Sequence, residues 1–514
     1  MEYDIIFVSG ELFFDHPLSG IAMLKRLLEK HGYTVGVIEM PQKEADVTKL
    51  GKPKLFFGVS SGAIDSMVRN YTPLKKLRKD DKHLDYNESV PDRAVIVYSN
   101  WIKHQFRESM IVLGGTEASV RRFVHYDYWD NKLRKPILFD SKTPILAYGA
   151  AEKQILEIAA RQKHGESLEG IPGTCIISKE KPEGMEELPG YDEVMKSKEK
   201  FCEMQNRFDS RKDLCQKIDN RYAVQFRAPF YTSEDLDEYY GLPFTRKVTS
   251  KHLRGFEFSV VTHRGCIGEC NFCSLNVMLG SKVISRSEKS ILNEIERITK
   301  LPHFKGNIDD LGGPSANMYG MDCELRDKCN KSCLTCPKLD RSNKRLIGLL
   351  RKARQVPGIK HVYIKSGVYY GLASPEYLKE ICEHHLFDFL RIAPEHVNRN
   401  VLKLMNKDYG DLPTFIEDFK KLNTNKKLSF YFMAAHPGSG MKEAKELHDA
   451  MKELHIESPE SVQVFTPTPM TVSTCMYYTG MDPKTKKSIH VPYTYSEKKR
   501  QKRALIGNMK QKSI

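Results

Sequence analysis

At 514 residues, 29% charged and 40% hydrophobic, the chain has a globular composition and room for roughly two to four domains. No apolar run approaches the roughly 18 residues of a membrane-spanning helix, and Met1-Glu2-Tyr3-Asp4 leads into a strand without a basic leader, so a cytoplasmic protein with no membrane partner is expected. The formal charge of +15 admits RNA as a partner, although a solvated basic surface is the favoured reading.

The first predicted strand covers residues 3–10, and apolar residues at helical spacing over 20–30 predict a helix that stops near His31-Gly32. Val35-Gly36-Val37-Ile38, Leu55-Phe56-Phe57-Gly58-Val59, Ala94-Val95-Ile96-Val97-Tyr98 and Met110-Ile111-Val112-Leu113 continue as short buried-type strands. Strands alternating with helices make an α/β, doubly wound parallel sheet, in which ligands bind at the carboxyl ends of the strands. Gly114-Gly115-Thr116-Glu117-Ala118-Ser119 follows one such strand and reads either as a ligand loop or as a tight turn with a helix cap. This first domain is expected over 1–170, with a charged, weakly periodic connecting subdomain over 171–250.

From residue 251 the alternation resumes, with strands expected at 256–262, 306–311, 361–365, 389–393, 428–433 and 462–465. Six strand–helix units fit a partial (β/α)6 barrel over 251–480, whose site loops follow the strand ends. A cysteine-rich insertion occupies 321–340, and a basic tail is expected over 481–514. Its run Lys498-Lys499-Arg500-Gln501-Lys502-Arg503 reads first as a solvated helix face or loose end, and second as a contact for RNA or an acidic partner.

Seven of the twelve cysteines fall in two tight groups, a pattern of metal or cluster binding rather than of disulfides. Cys266-Ile267-Gly268-Glu269-Cys270-Asn271-Phe272-Cys273 lies just past the first barrel strand. Three thiolates can hold three irons of a four-iron cubane and leave the fourth open to a small chelating molecule. S-adenosylmethionine, with its amine and carboxylate, is the candidate. Phe272 is placed to shield such a cluster, and Gly265 and Gly268 allow a tight wrap. A zinc site completed by His263 is the competing reading, but zinc favours paired Cys-x2-Cys halves.

This spacing resembles the signature of the radical S-adenosylmethionine superfamily, and the chain is similar more closely to the YgiQ family of uncharacterised radical proteins. Further marks are Thr262-His263-Arg264-Gly265, Asp310-Leu311-Gly312-Gly313-Pro314-Ser315-Ala316-Asn317-Met318-Tyr319 and Ala393-Pro394-Glu395-His396. Phe465-Thr466-Pro467-Thr468-Pro469-Met470-Thr471, Met476-Tyr477-Tyr478-Thr479-Gly480, Asp15-His16-Pro17 and the 114–119 loop match as well. The resemblance covers nearly the whole chain, with a carboxyl end shorter than is usual for the family. It implies a [4Fe–4S] cluster on Cys266, Cys270 and Cys273, reduced by a donor such as a flavodoxin or ferredoxin. It further implies cleavage of bound S-adenosylmethionine to methionine and a 5′-deoxyadenosyl radical, which takes hydrogen from a substrate still to be identified. Gly312 and Gly313 stand where the superfamily binds the methionine amine, with Pro314 in place of the usual acidic residue, so only backbone contacts carry over. Glu395 matches a polar position facing the cofactor, and His436-Pro437-Gly438 resembles the fifth-strand turn beside the adenine, making His436 and Gly438 candidate cofactor residues.

Cys323, Cys329, Cys333 and Cys336 are candidate ligands of a second cluster or of zinc. The first domain is cobalamin-binding-like by the same resemblance. However, Asp15-His16-Pro17-Leu18-Ser19-Gly20 has the ingredients of a histidine-ligating cobalamin motif at the wrong spacing, so the fold is expected without the cofactor. The leading expectation is a radical enzyme of unknown substrate. Behind it stand an RNA- or protein-modifying methylthiotransferase-like or cobalamin-dependent methyl transfer enzyme, and a metal-stabilised nucleic-acid-binding protein without catalysis.

Overall fold

The computed structural model describes residues 2–78, 90–248, 254–329, 331–456 and 461–506. The expected boundary at 250/251 and residues 507–514 of the expected tail lie outside them. Strands Val35–Glu39, Ile5–Ser9, Phe56–Ser60, Ile111–Leu113 and Ile145–Ala147 pair in parallel, in that spatial order. They are continuous apolar runs because helices cover both faces. Gly20–Lys30 and Glu152–His164 bury Ile21, Leu28, Ile155 and Ile158 against Ile5, Phe7 and Val112 on one side. On the other, the helix Ala94–Gln105 buries Ala94, Val95, Tyr98 and Ile102 against Ile6, Val8, Phe57 and Leu113.

That last helix corrects the sequence expectation of a strand at 94–98. Its β-branched start reads as a strand, but the buried positions 94, 95, 98, 99 and 102 recur at helical spacing over twelve residues. The expected connecting subdomain is also corrected. Thr174–Ser178, Arg221–Gln225, Leu214–Ile218 and Glu186–Leu188 extend the same sheet to nine strands. Their ladder hydrogen bonds continue a sheet edge that would otherwise be exposed.

Beyond residue 254 six parallel segments follow one another. Ser259–Val261 pairs with Asp310–Gly312, Asn307–Ile308 with His361–Val362, and Val368 bridges to Ile392. Phe389–Glu395 then pairs with Lys427–Ala434, and that strand with Ser461–Val464. Among the described residues no ladder joins the sixth segment back to the first, so the barrel is partial. Amphipathic helices such as Glu288–Thr299, Lys344–Gln355 and Pro375–His384 press their apolar stripes onto its outside. The segment expected as a basic tail carries a packed helix, Tyr495–Ile506, whose Lys498, Gln501 and Leu505 are buried. Its charges are spread round the helix, so the linear run hid one inward face.

The carboxyl ends of both sheets face a common space. Arg264, two residues before the first thiol, donates to Glu152 Oε1 at 2.6 Å and to Tyr240 Oη at 3.1 Å. Arg122 Nη2 donates to the Val277 carbonyl at 3.0 Å, tying the helix after Cys273 to the first domain.

Candidate active site

The three-thiol loop follows the first barrel strand through a short hairpin, His263–Arg264 against Ile284–Ser285. Gly265 has φ +84°, and a Cβ there would run into the Lys282 carbonyl oxygen, so this turn needs glycine. The fourth barrel unit then clamps the loop. Asn271 N donates to the Met405 carbonyl and Asn271 Nδ2 to that of Leu404, both at 2.9 Å, while Asn406 Nδ2 donates to the Glu269 carbonyl at 2.8 Å. Ser473 N donates to the Asn271 carbonyl at 2.9 Å from the carboxyl-terminal side. Four backbone or amide bonds therefore fix a loop with almost no regular structure of its own.

Burial holds all three thiols above their ordinary pKa, with Cys270 pushed up to about 12. Lys407, itself buried, lies close enough to favour their ionised forms and sits 3.6 Å from Glu395 Oε1. Its ammonium also stands 5.7 Å from the Tyr369 ring. Burial raises the Glu395 pKa and Lys407 opposes the shift. Glu395 is at φ +67°, at a register shift in its strand, which breaks the alternation that would otherwise set its direction. Among the described residues no three His, Cys, Asp or Glu side chains close on a single metal-sized point. A cubane, which holds its thiolates at separate corners, does not require that.

Gly312 and Gly313 lie at the end of the second strand, as expected. A Cβ on Gly313 would strike the His263 ring, and one on Gly312 would come within 3.2 Å of the Ser366 side chain. Gly312 is buried, its carbonyl accepting from Thr262 N at 2.8 Å, and the pair is framed by His263 and by Ser366, whose hydroxyl donates to Asp310. His263 is held from its other side by Thr262 Oγ1, 2.8 Å from Nδ1.

His436 and Gly438, expected beside the adenine, follow the fifth barrel strand Lys427–Ala434 and have partners within the protein. His436 Nδ1 is 2.8 Å from the Pro437 carbonyl and Nε2 2.7 Å from Ser473 Oγ, so both ring nitrogens are engaged. The ring packs edge-on against Phe272, centroids 6.3 Å apart. Gly438 N donates to the His490 carbonyl at 2.7 Å, and Leu404 occupies the place a Cβ would take.

A cavity of roughly 650 Å³ opens between the two sheets. Its walls combine Ser60, Gly62, Gly114 and Gly115 from the first sheet with His263, Leu279, Gly312 and Gly313 from the barrel. In the 114–119 segment, of which Gly115–Ser119 is a short helix, Gly114 to Thr116 line the cavity, while buried Glu117 accepts from the amides of Ser66 at 3.0 Å and Val95 at 3.1 Å. Three buried polar atoms of cavity-lining residues, Glu152 Oε2, Ser259 Oγ and His263 Nε2, have no hydrogen-bond partner. His16 does not reach this space through its imidazole. Nε2 lies 3.0 Å from both the Glu257 carbonyl and Arg246 Nη1, and Nδ1 accepts from Leu18 N at 3.0 Å.

The cysteine-rich insertion packs directly on the three-thiol loop. Cys333 and Cys266 edge one apolar cluster built on Ile267, Leu334 and Tyr369. Arg326, 5% exposed, pairs with Glu269 and hydrogen-bonds Ser281. Sequence reasoning overlooked Lys407, Tyr369 and Arg326 as neighbours of the thiols. Only the sequence Met405-Asn406-Lys407, after the Glu395 strand, carried a local signal.

Residues 1–258 match the family model Radical SAM N-terminal, and residues 460–510 match a domain of unknown function, DUF3362. The chain is 43% identical to UPF0313 protein MJ1155 of Methanocaldococcus jannaschii, over 98% of this chain and 89% of that one. It is 40% identical to UPF0313 protein FN0734 of Fusobacterium nucleatum, over 97% and 95%. Among solved structures, the radical S-adenosylmethionine methyltransferase TsrM from Kitasatospora setae superposes with TM-score 0.54 at 14% identity, over 92% of this chain and 76% of that one. The cobalamin-dependent S-adenosylmethionine radical enzyme OxsB gives 0.51 at 13%, over 87% and 51%. Sheet, partial barrel and sequence family together define a protein of the radical S-adenosylmethionine enzyme class. Within that class the chain belongs to the UPF0313 family, which is the YgiQ family of the sequence comparison.

Proposed function

We propose that this chain is a radical S-adenosylmethionine enzyme that acts on a substrate held in the cavity between its two sheets. The observation that carries the reading is a juxtaposition: the roughly 650 Å³ cavity is lined by Gly312 and Gly313, by His263 and Arg264 just before Cys266, and by Leu275, Met278 and Leu279 just after Cys273. The donor set fits a [4Fe–4S] cluster, since Cys266, Cys270 and Cys273 share one buried pocket with Lys407 as a countercharge. When bound and reduced there, the cluster supplies the electron that splits S-adenosylmethionine into methionine and a 5′-deoxyadenosyl radical. The chain's own residues do the rest. Gly312 and Gly313 offer backbone groups to the methionine end, Glu395 with Lys407 offers charge beside the thiols, and Phe272, packed against His436, keeps water from the loop.

The test is spectroscopic. Anaerobically reconstituted, dithionite-reduced protein is expected to show an electron paramagnetic resonance signal that changes when S-adenosylmethionine binds the open iron. A signal indifferent to S-adenosylmethionine at saturating concentration contradicts the reading.

A second reading concerns what fills the cavity. TsrM has also been solved with cobalamin and a [4Fe–4S] cluster bound and OxsB with aqua-cobalamin, and the cavity lies at the carboxyl ends of the first sheet, where doubly wound folds bind ligands. With His16 tied to Glu257 and Arg246, cobalamin would sit without a lower histidine ligand. Protein incubated with hydroxocobalamin and then desalted should retain about one corrin per chain on this reading; complete loss of the corrin absorbance rules it out.

A further inference from the structure

The four thiols of the insertion have no task in that chemistry. They lie within fourteen residues, Cys323 to Cys336, in a segment whose described residues have one turn of 3-10 helix, at Arg326–Lys328, as their only regular structure. Such a segment lacks the apolar area to order itself and normally needs a staple. Two arginines already gather its backbone. Arg326 Nη1 donates to the carbonyls of Cys329 at 3.1 Å and Lys331 at 2.9 Å, and Arg341 Nη2 to those of Leu334 and Cys336, each at 3.0 Å. Cys333 lies within electrostatic reach of both Cys323 and Cys336.

We infer that Cys323, Cys329, Cys333 and Cys336 bind a second iron–sulfur cluster, packed against the three-thiol loop. The donor set is all thiolate, which leaves zinc or an iron–sulfur centre as the chemistry. Spacing separates the two. A four-cysteine zinc site is typically built from two separate Cys-x2–4-Cys pairs, whereas here the x3 and x2 intervals share Cys333 and Cys323 stands beyond a further x5 gap, so two independent pairs do not exist. Position agrees, because Ile267, Leu334 and Tyr369 fill the space between the two thiol groups, and Arg326 joins the segments through Glu269. The guanidinium groups of Arg326 and Arg341 place positive charge on a loop that would carry four thiolates.

The inference is read apart from the radical site by removing that site's ligands. Full-length protein bearing Cys266→Ala, Cys270→Ala and Cys273→Ala, reconstituted anaerobically, should retain about four irons and four sulfides, against about eight irons in the wild type. Should the triple variant fail to fold, the pair Cys329→Ser and Cys336→Ser answers instead, dropping iron from about eight to about four per chain. A wild type with about four irons, or with zinc filling the insertion, overturns the second cluster and leaves the first untouched.

Discussion

Lys407 is the residue on which the thiol pocket's electrostatics turn. It is the one cation among the groups that influence Cys270 most, and Glu395 is its buried partner. Replacing it by methionine leaves the Glu395 carboxyl buried without its cation, a loss on the order of 3 kcal/mol. Urea unfolding of the cluster-free protein should show that loss for Lys407→Met and recover most of it in Glu395→Gln/Lys407→Met. Equal destabilisation in single and double variants would mean that the pair is not coupled. At this scale the sequence was legible where a residue type is dictated by bond-forming chemistry or by backbone space. The cysteine triplet and Gly312-Gly313 are of that kind. Lys407 was legible only as part of Met405-Asn406-Lys407, because its partners Glu395, Tyr369 and the thiols come from separate segments and no spacing along the chain reports them.

The carboxyl-terminal helix Tyr495–Ile506 shows what linear charge patterns conceal. Lys498 Nζ donates to Tyr477 Oη at 2.9 Å and Tyr128 Oη at 3.1 Å, pinning the helix to the first domain and to helix Val472–Thr479 at once. Burial lowers the Lys498 pKa from 10.5 to about 8. Between those values the unfolded chain binds the proton more tightly than the folded one. The cost of keeping Lys498 charged is therefore full below pH 8 and is relieved as the pH rises toward 10.5. Wild-type protein should gain up to about 3 kcal/mol relative to Lys498→Met across that range, measured as the difference between their urea midpoints. A constant difference from pH 7 to 10 contradicts the buried-ammonium picture. The element boundaries that sequence missed, the helix at 94–105 and the sheet extension at 174–225, share one cause: local composition cannot tell a buried helix from a strand, or a sheet-edge strand from a linker.

Across the molecule, burial lowers the pKa of six histidines among the described residues. His16, His125 and His436 are lowered to about 3, and His263, His385 and His396 to about 4. Each binds its proton in the unfolded chain near pH 6.5 but not in the folded one, so stability is present above that pH and is lost as pH falls toward 4. Each fully shifted group contributes a slope of about 1.4 kcal/mol per pH unit. Thermal unfolding of the cluster-free protein should accordingly weaken steeply below pH 6.5, and His436→Gln should flatten the slope. A flat profile from pH 7 to 5 would contradict it.

The alternation of strands and helices made both α/β halves readable from sequence, since period and length are local properties. Their meeting was not readable. The Arg264–Glu152 pair and the cavity between the two sheets exist only once residues more than a hundred positions apart come together. That meeting point is where the account places its chemistry, and one turnover measurement tests it most directly. Reconstituted, reduced wild-type protein given S-adenosylmethionine under anaerobic conditions should release 5′-deoxyadenosine and methionine, and Cys270→Ala should release neither. Wild-type protein carrying its full iron complement yet forming no 5′-deoxyadenosine would contradict the central claim.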